Sequence, residues 1–303
     1  MAADSERMAS ISQFYSGKLR ESLSSLQDLF AFYRQIENVW GGSESARVLA
    51  HLHAELGNYD QAIKFAEEGV ELARMMPQPL AMLDLAQAAK AVVLRTMMAL
   101  EGALKILNAV LADSAERGLI GFVEDWILSE LSAVYALSGD WDQACQFARK
   151  RLRARGDKYL LPMGFTGWVE TKALLFGGDD ELVRSELLQM EEAAADNRRY
   201  RLIFLQSMGE LSCWDGDVDQ AVSYFRDALD LAREIGLPGE EWPILGELDR
   251  LYTEKGEPEK AQQAYQDAAL IIHRLAETID DEGLRKGFLT AKLVGGILEK
   301  CTQ

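Results

Sequence analysis

Apolar residues recur along most of this chain at intervals of three and four, the spacing that gathers them on one face of an α-helix. Leu49, Leu52 and Leu56 form one such stripe, Ile127, Leu131, Val134 and Leu137 another, and Leu245, Leu248 and Leu251 a third. Each ends just before a glycine followed by polar residues. A second amphipathic run then begins, as in Ala221, Val222, Phe225, Ala228, Leu229 and Ala232. The pattern reads as helix, tight turn, helix. The glycine is expected to end the first helix, because the left-handed conformation costs little only for Gly or Asn. Asn58, Asp140 and Asp217 are placed to cap the second helix, and acids in its first turn favour the helix dipole.

The unit repeats. Gly57-Asn-Tyr-Asp-Gln-Ala62, Gly139-Asp-Trp-Asp-Gln-Ala144, Gly216-Asp-Val-Asp-Gln-Ala221 and Gly256-Glu-Pro-Glu-Lys-Ala261 share one pattern. Weaker copies surround Ser22, Ala103 and Val183. The register positions are then Ser22, Ala62, Ala103, Ala144, Val183, Ala221 and Ala261, separated by 40, 41, 41, 39, 38 and 40 residues. A small residue there lets paired helices cross closely. The helix pairs fall near 4–38, 44–75, 79–117, 121–155, 162–195, 199–235 and 240–279, and a helix at 283–299 is expected to cap the array. No Pro/Gly/Ser-rich linker divides the chain, so residues 1–303 read as a single domain.

These residues resemble the tetratricopeptide repeat family. Tyr135 with Leu131 and Gly139, and Tyr252 with Leu248 and Gly256, match its first-helix pattern; Gly209 matches a small position there. Phe225 and Ala228, then Tyr265 and Ala268, match its second helix. The resemblance implies an all-α, right-handed superhelical solenoid of about seven antiparallel helix pairs. The period exceeds the usual family unit and is similar to that of the sensor arrays of LuxR-type ATP-dependent bacterial regulators, as is the tail from Leu275 to Leu289. In the family the first helix of each pair lines a concave groove. Counting back from the turn glycines places Arg47, His51, Trp126, Phe165, Trp168, Lys172, Gln206, Glu210 and Arg250 on that wall. Of these, Trp126, Phe165, Trp168, Lys172, Gln206, Glu210 and Arg250 form the candidate partner site. Aromatics give contact area at little entropic cost and charges orient a ligand. The alternative for Phe165 and Trp168 is packing between units.

Composition narrows the function. The hydrophobic share of 48% supports a substantial core, and 6 prolines suit a helical chain. A net charge of −17 repels phosphate backbones and anionic membranes, which argues against nucleic acid or membrane partners. No run is apolar for long enough to span a bilayer, and Met1-Ala-Ala-Asp-Ser-Glu-Arg lacks the features of a signal peptide. Cys145, Cys213 and Cys301 have no metal or redox spacing, so a cytoplasmic location is expected.

Catalytic signatures are missing: there is no phosphate loop, no dinucleotide fingerprint and no nucleophile elbow. His51 and His53 stand two apart on a helix and cannot share a metal. No enzyme, metal or cofactor is expected. The run Arg149, Lys150, Arg151, Arg153, Arg155 and Lys158 opposes the overall charge. It reads either as a nucleic-acid patch or as a helix whose cations pair with neighbouring acids. The sequence therefore points to a non-enzymatic interaction or regulatory scaffold holding a peptide or protein in its groove. The alternative is a small-effector-sensing domain of a bacterial transcription regulator.

Overall fold

The computed structural model describes residues 2–78, 81–116, 122–155 and 167–302. Every regular element among them is helical, in the order α1 (Ala2–Tyr15), α2 (Leu19–Gln35), α3 (Val39–Glu55), α4 (Tyr59–Arg74), α5 (Met82–Thr96), α6 (Leu100–Glu116), α7 (Phe122–Ser138) and α8 (Trp141–Arg155). There follow α9 (Gly167–Phe176), α10 (Asp180–Ala194), α11 (Arg198–Trp214), α12 (Val218–Ile235), α13 (Pro238–Glu254), α14 (Pro258–Glu277), α15 (Glu282–Thr290) and α16 (Lys292–Leu298), then a 3-10 turn at Glu299–Thr302. The chain forms two compact units, Met1–Ile127 and Leu128–Gln303, whose boundary falls inside α7.

The repeat register is physical. Ser22, Ala62, Ala103, Ala144, Val183, Ala221 and Ala261 are all buried. Five residues before each stands a residue with positive φ: Gly17, Gly57, Met98, Gly139, Gly178, Gly216 and Gly256. Each closes the same turn. The Gly57 amide donates to the Ala54 carbonyl at 3.1 Å and the Asn58 amide to that of His53 at 2.8 Å, the double closure of a helix end in the left-handed conformation. In the third pair Met98 and Ala99 close it on Arg95 and Leu94 at 2.9 and 2.8 Å. Met98 thus holds, at φ 57°, the conformation that glycine adopts elsewhere.

Capping follows the sequence at two of three expected places. Asp140 Oδ1 accepts from the Gln143 amide at 3.1 Å and Asp217 Oδ1 from that of Gln220 at 3.0 Å. Asn58 makes no such bond, whereas Asn38, Asn197 and Asp281 do. Close crossings rest on small residues. A Cβ on Gly209 would come within 2.8 Å of the Phe225 ring, so the aromatic of α12 lies flat against the α11 backbone.

The expected single helix over 283–299 is broken. Ala291 is extended, with ψ 139°, and separates α15 from α16. Phe288 and Val294 are both fully buried. On an unbroken helix a separation of six residues would point them about 120° apart. The break lets both reach the interior.

In the first unit α3 is buried along every residue from Gly41 to Ala54. That span includes Glu44 and Arg47, joined by two hydrogen bonds of 2.8 and 2.6 Å. Arg7 of α1 adds a third charge, 3.7 Å from Glu44. His51 and His53 are buried too; burial, with the Arg47 and Arg95 cations, pushes the His51 pKa well below its usual value. Both read as core histidines, and among the described residues no group of His, Cys, Asp and Glu is arranged to hold a metal ion.

Candidate functional site: a charged cavity in the second unit

Alternate helices of the second unit supply the site. Residues four apart share a helix face, so α9 presents Trp168 and Lys172 together and α11 presents Gln206 and Glu210. From α13 come Glu247 and Arg250, three apart. All six line one cavity of about 470 Å³, whose apolar wall includes Trp242, Pro243, Ile244 and Phe225.

At its centre the Lys172 ammonium donates to Glu210 at 3.0 Å and to Glu247 at 2.6 Å, tying three helices together. The second oxygen of Glu247 accepts from Arg250 Nε at 2.9 Å. Two cations therefore balance two carboxylates. Burial disfavours the Lys172 charge, but the flanking Glu210 and Glu247 carboxylates outweigh it and raise the lysine pKa. Glu210 is deeper. Burial, and repulsion from Glu247, push its pKa up to about 7 against the pull of Lys172. For Glu247, burial is outweighed by Lys172 and Arg250, and the pKa falls. Cys213, whose sulfur accepts from Arg250 at 3.3 Å, is pushed up to about 11, mainly by burial.

Gln206 is the position that asks for a ligand. Only 2% exposed, it donates from Nε2 to Glu240 at 2.9 Å, while its carbonyl Oε1 is buried in the cavity wall without a hydrogen-bond partner. An unmet buried acceptor costs on the order of 1–3 kcal/mol, which a donor would recover once the Gln206 side chain turned its enclosed Oε1 into the cavity.

The structure thus brings together Trp168, Lys172, Gln206, Glu210 and Arg250 of the expected groove residues. Phe165 lies outside the described residues. Trp126 is fully buried in the first unit, its ring centroid 5.3 Å from that of His51, and it lines no part of this cavity. Arg47 and His51, counted onto the same wall, are sealed within the first unit because α3 is covered on all faces. Trp168 serves both readings of its role: it lines the cavity and packs against the cluster of Ala133, Ala136, Ala144, Val169 and Ala173. Glu247 was missed by counting single positions. The spacing Pro243, Glu247, Arg250 on α13, read as a helix face, contains the signal.

Two members of the basic run pair with neighbouring acids. Arg151 is buried and pairs with Glu170 at 2.9 Å; Arg149 pairs with Asp179 at 2.5 Å and donates to the Gly177 carbonyl at 3.0 Å. Arg153 is exposed, and Lys158 lies outside the described residues. Among the described residues no helix is long and apolar enough to cross a membrane.

Comparison with known proteins agrees with this architecture. Residues 48–74 match the model of the tetratricopeptide repeat. A Rap protein solved in complex with Competence and Sporulation Factor superposes with a TM-score of 0.70 at 11% identity, covering 90% of this chain and 76% of that one. The apo form of RapI gives 0.62 at 12% identity, covering 92% of this chain and 100% of that one. At such identities the likeness is one of fold. No curated protein matches the chain. Neither comparison bears on the resemblance to LuxR-type sensor arrays. With a matched repeat over residues 48–74, one register kept at the described turns and a shared fold, the chain is similar to tetratricopeptide-repeat proteins, an all-helical repeat architecture.

Proposed function

We propose that the second-unit cavity is the binding site of an interaction scaffold and takes a short peptide or protein segment. One observation carries this reading: the buried, unpartnered Gln206 carbonyl stands in a wall that also offers Trp168 and Trp242. Such a site fits a chain with spaced N–H donors and apolar side chains. A Rap protein of the same fold is solved with a factor bound, which supports the reading by analogy.

The test is selection of short peptides from a random display library on the intact chain, followed by affinities on variants. Gln206→Leu and Trp168→Ala are each expected to weaken selected peptides by roughly tenfold or more, with the helical circular dichroism unchanged. Peptides indifferent to both changes would move the site elsewhere.

A second reading, a small effector in the same cavity, is favoured by its volume of about 470 Å³, within the range of small-molecule sites. Native mass spectrometry of the purified chain distinguishes it: a retained small molecule displaced by Gln206→Leu would favour the effector.

A further inference from the structure

We infer that residues 292–300 act as a built-in occupant of this cavity, and that its partner is an aliphatic segment carrying a Lys or Arg, which binds by displacing them. The inference rests on the proposed function and names the partner's chemistry. After the break at Ala291, α16 turns back to contribute Leu293, Gly296 and Ile297 to the cavity lining. Ile297 packs on α13 where Gly246 leaves room; a Cβ there would come within 3.1 Å of its Cδ1. Lys300 pairs with Asp249, which is itself only 7% exposed. An aliphatic residue over Gly246 and a cation three residues later on Asp249 are thus already recognised in cis.

The segment is weakly held. Its helix is seven residues long, contains Gly295 and Gly296, lacks a side-chain cap and fully buries only Val294. Such a helix has little stability of its own. Leu293 is 42% exposed and the Lys300 side chain 53%. Neither does the segment satisfy the whole cavity, because the Gln206 acceptor stays unmet. A competing segment with the same Ile-x-x-Lys spacing and a backbone reaching Gln206 makes these contacts and one more. Charge agrees as well: Lys172 and Arg250 already neutralise Glu210 and Glu247, which leaves Asp249 as the carboxylate answered only by the segment.

The experiment uses the full chain and a fluorescent synthetic peptide copying residues 291–300. Wild type is expected to bind it weakly, since its own segment competes. Lys300→Glu, at a half-exposed side chain whose replacement leaves the fold intact, and separately Ile297→Asp, are expected to bind it roughly tenfold more tightly. Adding Asp249→Lys to Ile297→Asp should abolish that binding, and a peptide with Glu at the place of Lys300 should restore it. Equal affinities for wild type and Lys300→Glu, or no rescue by the reversed pair, would overturn the inference. Library peptides that need Trp168 and Gln206 but do not compete with the copied segment would sink it too, while leaving the proposed function standing.

Discussion

The two units build their interiors from the same helix pairs and treat buried charge in opposite ways. In the first, Arg7, Glu44 and Arg47 are enclosed around α3, which has no exposed face from Gly41 to Ala54. In the second, Lys172, Glu210, Glu247 and Arg250 form a network of similar size along the wall of an open cavity. The closed set has its geometry fixed on all sides, so its ions act as structure. The open set keeps Arg250 half exposed and Lys172 one-fifth exposed, so water or a ligand can reach it. Repeats of one register can therefore yield a core or a site, depending on whether another element covers the inner helix.

The largest expected effect tests the closed network. Glu44→Ala leaves the buried Arg47 cation without its bidentate partner and should destabilise by about 3–5 kcal/mol in urea unfolding. A loss under about 1 kcal/mol would show that water reaches the first unit's interior as it reaches the second's.

Next comes Ala221→Arg, which drives a long cation into the crossing of α11 and α12. It should cost about 2–4 kcal/mol through overpacking and a buried charge. A change under about 0.5 kcal/mol would refute the assigned register.

The open network should respond to pH. Glu210 has its pKa raised from 4.5 to about 7, so the folded state favours its protonated form. The stability it contributes is full below the unfolded value and is lost as pH rises from there through about 7, a fall on the order of 3 kcal/mol. Glu210→Gln should flatten this part of the stability profile. An unchanged slope would place the proton on another group.

The smallest effect concerns Met98. Met98→Gly relieves a side chain held at φ 57° and should stabilise by about 1 kcal/mol, measured by thermal unfolding. A loss of stability would mean that the methionine side chain contributes more than its backbone strain costs.

Much of this was legible beforehand. Turn glycines, small register residues and stripes of leucine gave helix pairs close to those observed, because each depends on local geometry within some five residues. Even the degenerate third pair follows the rule, with Met98 standing where the spacing from Ala103 asks for a left-handed residue. The site was legible in part. Trp168 with Lys172 and Gln206 with Glu210 could be placed by helical periodicity, but Glu247 required knowing that α13 turns the same face to Lys172 as α11 does. Trp126 and Arg47 sit at comparable positions and are buried, a difference the residues themselves do not carry.

By itself the sequence determined the helices, their turns, the repeat and the acidic character of the chain, since propensity, capping and periodicity act between near neighbours. Tertiary structure alone decided which inner helices are covered, that α15 and α16 part at Ala291, and that Gln206 keeps an unmet acceptor beside the segment bearing Ile297 and Lys300. Those outcomes depend on contacts between residues 34 to 75 positions apart, such as Gln206 with Glu240 and Lys172 with Glu247, and no local rule encodes such pairs.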